Sequence, residues 1–228
     1  MPNAGHTPEA RNQLTALAVP PVKEQRAYSN KGSTVTSLTE RANAVYEKRM
    51  AEALREIGAI SGRRLDVFPR IQDLCPEFEI RELIVEGSHL FISKGCHLFC
   101  DLGSRNRDEF IIHKFFDEKY SINLLNLVSF YHMTFKSVKY GDIIEIGSDY
   151  DVREEFSHVL ICFPYFFPDN IVNIESMELN FNLSWIFPIH REEFNFINLN
   201  GLESFETAMS NSEYDFFDIR SSMEYLNG

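Results

Sequence analysis

The chain has 228 residues, with 22 Lys+Arg against 34 Asp+Glu, a net charge of −12 at pH 7 and a sequence pI near 5.0. That excess of carboxylates excludes a generally basic nucleic-acid or membrane-surface binder. With 44% hydrophobic and 13% aromatic residues it can bury at least one sizeable core, which excludes a disordered or fibrous chain.

Met1 to Ala10 is polar and lacks the apolar stretch of a secretory signal, and Leu17-Ala18-Val19 runs straight into Pro20-Pro21. No apolar run approaches the roughly 20 residues that span a bilayer. The expectation is a soluble, cytoplasmic protein with no membrane partner. Residues 1–36 read as a flexible leader, rich in Pro, Asn, Gln, Gly and Ser without a sustained period. Ser37-Leu38-Thr39-Glu40 then has the form of a capping box, in which a hydroxyl and a carboxylate satisfy the first free amides of a helix. Ala42, Val45, Tyr46, Met50, Ala53, Leu54 and Ile57 follow at helical spacing, and Gly58 or Gly62 supplies the stop. Residues 37–75 are therefore expected to be an amphipathic helical extension whose mixed-charge polar face is solvated.

Composition breaks near residue 75. Residues 1–75 carry ten alanines and one phenylalanine, Phe68, whereas residues 76–228 carry one alanine, Ala208, and nineteen phenylalanines. Charge changes with it, from eleven Lys+Arg against eight Asp+Glu (+3) to eleven against twenty-six (−15). The acidity belongs to residues 76–228, where electrostatic steering of a partner arises. The break predicts that residues 76–228 form a separate domain.

In that domain Leu83-Ile84-Val85, His89 to Ile92, His97 to Cys100 and Phe110-Ile111-Ile112 are short apolar runs cut by Gly87, Gly95, Gly103 and a polar loop. They predict an antiparallel meander. Ser121 caps a predicted helix from Ile122 to about Met133, apolar around most of its circumference and so central and buried. Tyr140-Gly141-Asp142 turns into a strand at Ile143 to Ile146, and the apolar strands His158 to Phe163 and Phe181 to Ile189 are expected in the middle of the sheet. The fold class is α+β, a central mixed β-sheet flanked by helices with an N-terminal helical extension.

No glycine-rich phosphate loop, no G-x-S-x-G elbow and no H-E-x-x-H pair is present. The seven histidines (6, 89, 97, 113, 132, 158 and 190) are sequence singletons, read as core or rim residues, so no metal, cofactor or catalytic residue is assigned. Glu154-Glu155 and Glu192-Glu193 are adjacent pairs that point in different directions in regular structure, unlike a glycosidase pair. Cys75, Cys96, Cys100 and Cys162 read as reduced core thiols. Cys96 and Cys100 lie in an extended run, where four residues span roughly 13 Å, beyond disulfide reach.

What remains is an acidic face with aromatic rings. Tyr150, Tyr165, Phe166, Phe167, Trp185, Tyr214, Phe216, Phe217 and Tyr225 are candidates for exposed anchors beside carboxylates, although about two thirds of such rings belong to cores. Tyr214-Asp215-Phe216-Phe217-Asp218 interleaves rings and carboxylates too closely to bury one without the other.

Trp185 to Phe194 (WIFPIHREEF), Asn200 to Phe205 (NGLESF), and Asp215, Asp218, Ile219 and Arg220 together resemble the bacterial suppressor of fused domain family. Ile122-Asn123-Leu124-Leu125, Tyr140-Gly141-Asp142-Ile143-Ile144 and Leu160 to Pro164 are similar to that family's helix, glycine turn and next strand. The likeness covers about residues 80–224 and leaves residues 1–75 without a counterpart. It implies an immunity protein of a polymorphic toxin system, one that binds and blocks a cognate protein toxin without catalysis. An acidic binder suits a basic, nuclease-type toxin, because carboxylates can stand in for phosphates and speed association. Partner contacts are assigned to Tyr214, Asp215, Phe216, Phe217, Asp218, Arg220, Glu192 and Glu193. The competing classes are a scaffold or regulator using the same surface, as eukaryotic relatives bind transcription factors, and a metal-dependent hydrolase built on the histidines or on Cys162.

Overall fold

The computed structural model describes residues 34–99, 106–114, 117–146, 156–164, 167, 173–175 and 180–211. Along them run α1 (Thr34–Glu56), β1 (Ile60–Leu65), α2 (Pro69–Leu74), β2 (Glu79–Val85), β3 (Ser88–Lys94), a 3-10 turn (Cys96–Leu98) and β4 (Asn106–His113). Then come α3 (Glu118–Thr134), β5 (Ile143–Glu145), β6 (His158–Cys162), β7 (Asn173–Glu175), β8 (Asn180–Ile189), α4 (Arg191–Asn200) and α5 (Leu202–Asn211).

The strands form one mixed sheet in the order β1-β2-β3-β4-β8-β6-β5, with β7 also paired to β8. β1 to β4 are an antiparallel meander; β8 then lies parallel to β4 through Asn106↔Asn180 to Ile111↔Trp185 and antiparallel to β6 and β7. The fold class is the α+β sheet with flanking helices that the patterning predicts. β8 takes the central place expected of it, while β6 lies one strand from the edge.

Period-two alternation splits the core into two layers. Along β8, Phe181, Leu183, Trp185, Phe187 and Ile189 join Tyr46, Met50 and Ala53 of α1, Ile197 of α4, and Phe205 and Met209 of α5 on one face. Ile186 points the other way, into the layer built by Ile71 of α2 and Leu124, Leu125, Leu127 and Val128 of α3. The apolar girdle of α3 is therefore a buried central helix, as predicted. Exposed or half-exposed ion pairs such as Lys94–Glu47 contribute about 0–1 kcal/mol. The burial of Tyr46 and Met50, at about 1.5–3 kcal/mol per large side chain, is what seats α1 on the sheet.

Several boundaries differ from the sequence reading. α1 begins at Thr34, so Ser37 lies inside the helix instead of capping it. Its stop is Gly58, where the Ala59 amide donates to the Leu54 carbonyl (2.8 Å) and the Gly58 amide to the Arg55 carbonyl (3.0 Å). β1 was not anticipated; its burial pattern is almost wholly exposed, so no apolar alternation marks it. Residues 96–98, read as extended, form the 3-10 turn, and Cys100 lies outside the described residues. α3 starts three residues before Ser121, because the Asp117 carboxylate accepts from the amides of Lys119 (3.0 Å) and Tyr120 (3.3 Å). Ser121 is buried within it.

Candidate functional site

Among the described residues Phe135, Tyr140 and Phe163 are the exposed aromatic side chains, and the last two stack on each other. The Tyr140-Gly141-Asp142 turn is fixed on both sides: the Lys139 amide donates to the Asp142 carboxylate (3.0 Å), the Gly141 amide to the Ile161 carbonyl (2.8 Å), and the Ile161 amide to the Asp142 carbonyl (2.9 Å). Tyr140 therefore projects from a turn locked onto β6, whose chain continues through Cys162 into Phe163. The two rings stack with centroids 4.3 Å apart and planes 16° from parallel. Tyr140 is 39% and Phe163 42% exposed. The Tyr140 hydroxyl donates to the Glu206 carboxylate of α5 at 2.8 Å. Burial first, and then Glu206, push that phenol well above its ordinary pKa, so it stays a neutral donor. Glu203 lies one turn earlier on α5 and is exposed. Two rings and the Glu206 carboxylate thus meet between the Tyr140 turn, the end of β6 and α5.

The predicted site residues fall differently. Glu192 is exposed on α4, whereas Glu193 is 1% exposed and accepts the His190 amide at 2.6 Å in a capping box that starts the helix. The two adjacent carboxylates do diverge, as expected. Tyr214, Asp215, Phe216, Phe217, Asp218 and Arg220 lie outside the described residues, as do Tyr150, Tyr165, Phe166 and Tyr225. Trp185 and Phe167, also named as possible anchors, are core residues. Tyr140 and Phe163 were missed as anchors. Tyr140 was legible only as a turn residue and Phe163 only as the end of an apolar strand, and a terminal aromatic does not by itself declare which side it leaves on.

The chemistry-bearing groups are mostly interior. Glu109 and His97 are both buried, and the Glu109 carboxylate accepts from Ser93 Oγ (2.5 Å), the Gly95 amide (2.7 Å), the His97 amide (3.1 Å) and His97 Nδ1 (2.5 Å). Burial alone would raise its pKa, but the bonds from His97, Ser93 and Gly95 outweigh that and hold the carboxyl below its usual range. Tyr46 closes the cluster, stacked on His97 at 4.2 Å. Although a serine, a histidine and a carboxylate are present, the serine hydroxyl donates to the carboxylate and in turn accepts the Phe110 amide (2.8 Å). It is tied into the backbone and not poised as a nucleophile. His132 bridges Phe99 and Val138: Nδ1 accepts the Val138 amide (3.0 Å), which leaves Nε2 to donate to the Phe99 carbonyl (2.7 Å). Burial pushes the Cys162 thiol far above its ordinary pKa, so the thiolate a nucleophile needs is absent at neutral pH. Among the described residues, no group of three or more His, Cys, Asp or Glu is arranged to hold a metal ion.

The sequence profile of the Suppressor of fused protein (SUFU) family matches residues 101–220. The chain belongs to the SUFU family. Its structure is similar to the crystal structure of a SUFU homolog from Neisseria gonorrhoeae FA 1090, with TM-score 0.60 and 20% identity over 80% of this chain and 96% of that one. That likeness is one of fold. Drosophila Suppressor of Fused gives TM-score 0.43 at 12% identity over 59% of this chain and 38% of that one. A chain of the Sufu–Fu complex gives 0.47 at 11% over 78% and 84%. At such scores neither adds to the first. No match was found among proteins of curated function. The SUFU-matched segment holds β4 to β8, α3 to α5 and both rings of that stack, and it includes the residues from Tyr214 to Arg220. α1 and β1 to β3 precede it. Among the described residues of this SUFU-family chain, no helix is long and apolar enough to cross a membrane.

Proposed function

We propose that this SUFU-family chain is a non-catalytic protein-binding module that neutralises a cognate bacterial toxin, as an immunity protein. The observation that carries the reading is the exposed Tyr140–Phe163 stack held beside Glu206, in a part of the chain whose formal charge is −15. Aromatic anchors ringed by charge are what concentrates binding energy and steers encounter in protein interfaces. The toxin is a basic, nuclease-type protein, whose phosphate-binding face the carboxylates block. On sequence grounds we also assign partner contacts to Glu192, to the Tyr214–Asp218 run and to Arg220. Glu193 supports them by fixing the start of α4. The burial of the Ser93–His97–Glu109 cluster and of Cys162 supports a role without catalysis.

The test is capture: purified full chain as bait in lysate of its source organism, at low and high salt, with the retained proteins identified. The expected result is one basic protein, released by salt and toxic when expressed alone. A non-toxic regulatory protein as the retained partner would support the scaffold reading instead. Stoichiometric bound metal with hydrolase activity and no partner would replace the proposal by an enzyme.

A further inference from the structure

We infer that the cleft between α2 and α3 binds a small monocarboxylate with an apolar body, an alkyl or aromatic acid. The site goes beyond the binding reading above, and its walls belong to the core layer on the other side of the sheet from α5. The cleft opens to solvent, holds about 370 Å³ and is lined by Phe68, Pro69 and Arg70 at the start of α2 and by Leu127 and Phe130 of α3. Small-ligand sites occupy roughly 300–1,000 Å³ and pair mostly apolar walls with a few polar groups. Here four of the five lining side chains are apolar, and Arg70 is the one charge. Phe135, 40% exposed and edge-on to Phe130 at 6.3 Å, extends the apolar surface past the cleft. Both walls are in place before a ligand arrives. Asn126 of α3 is buried and ties down the chain leading into α2: its Oδ1 accepts the Phe68 amide (2.9 Å) and its Nδ2 donates to the Asp66 carbonyl (3.1 Å). Ile71, fully buried, pins α2 to the same core. A preformed cleft loses little freedom on binding.

Charge decides the head of the ligand. Among the described residues the Arg70 guanidinium has no ion pair or hydrogen bond, although Asp66 and Asp73 lie four and three residues away along the chain. On the opposite wall, α3 carries no charged residue from Tyr120 to Tyr131, and His132 is engaged with Phe99 and Val138. A guanidinium beside apolar walls suits a planar carboxylate, which its fork meets with two parallel bonds. One cation matches one negative charge, whereas a phosphate dianion finds no second cation in the lining. The chain as a whole is acidic, but the wall that carries Arg70 belongs to residues 1–75, whose charge is +3.

The test titrates the full-length protein at neutral pH with octanoate, octanol, octylammonium and acetate, followed by the aromatic NMR signals of Phe68 and Phe130. The expected result is a saturable response to octanoate with a Kd of about a millimolar or less, a response at least about threefold weaker to octanol, and none to octylammonium or acetate. Arg70→Gln, which removes the charge but keeps a polar stem, brings octanoate down to the level of octanol. Arg55→Gln, which removes another exposed arginine, on α1, changes nothing. Each variant is first shown to unfold at a melting temperature near that of the parent. Octanol or octylammonium binding as tightly as octanoate, octanoate binding unaltered in Arg70→Gln, or no saturable response to octanoate overturns the inference. No toxin enters the titration, so its failure leaves the immunity reading standing, and failure to capture a toxin leaves this site standing.

Discussion

Replacing Glu109 with alanine removes the one acceptor shared by Ser93, Gly95 and His97, four hydrogen bonds in a site where His97 and Glu109 are almost fully buried. The Gly95 and His97 amides cannot turn to water. Stranding a buried donor costs about 1–3 kcal/mol, so the two amides together cost about 2–6 kcal/mol. The space left by the carboxylate adds about 1 kcal/mol more. A loss of about 5 kcal/mol follows, or a fall of about 15 °C in Tm for a chain of this size. Glu109→Gln keeps an oxygen for the backbone donors and loses only charge assistance, about 1–2 kcal/mol. Trp185, the single tryptophan and a core residue, reports unfolding by its fluorescence in a denaturant titration. An alanine variant within about 1 kcal/mol of the parent, or a glutamine variant as damaged as the alanine one, would refute the assignment of Glu109 as the anchor of the 3-10 turn.

Burial raises Asp108, although Asn182 Nδ2 donates to it at 3.1 Å, so the stability it contributes is present below the unfolded-state value and lost as pH rises through its raised folded value. Asp108→Asn should melt higher than the parent at neutral pH, with the gain vanishing below about pH 4. His158 is lowered by burial, which Glu145 opposes in part and Arg191 assists more weakly; it stacks on Phe194 at 3.8 Å. Its contribution is present above the ordinary value of about 6.5 and lost as pH falls through its lowered one, so His158→Gln should flatten the acid limb of a Tm–pH profile. Gly95 has φ +124, and a Cβ there would lie 3.2 Å from the Phe78 Cα, so Gly95→Ala should cost about 1–3 kcal/mol in the same titration. Cys162 should resist a thiol reagent in the native protein and react only on unfolding, which a timed mass measurement shows.

The sheet was legible where alternation was strong. Phe181 to Ile189 declared a central strand because its alternate residues are large and apolar, and both faces of that strand are indeed covered. β1, Ile60-Ser61-Gly62-Arg63-Arg64-Leu65, had no such pattern: its charged residues pair with Glu79, Glu82 and Glu118, and strand pairing by ions leaves no hydrophobic period. The compositional break at residue 75 was real, yet packing crosses it. β1 pairs with β2, and Tyr46, Met50 and Ala53 share a core layer with Leu83, Leu90 and Ile92. Asp117 outcompeted Ser121 as a cap because a charged acceptor four residues upstream offers two amides a bond, which local sequence could not rank. The Tyr140–Phe163 stack was illegible for another reason: the rings are twenty-three residues apart, and only the β5–β6 pairing brings them together.

The central claim is that this chain silences a toxic protein by binding it. The most direct measurement is growth of cells carrying the captured basic partner under one inducible promoter and this chain under another. The account predicts arrest with the partner alone, full growth when this chain is co-expressed, and arrest again when Phe163→Ala and Glu206→Gln are combined in a folded variant. Continued arrest in the presence of abundant, folded parent chain would contradict it.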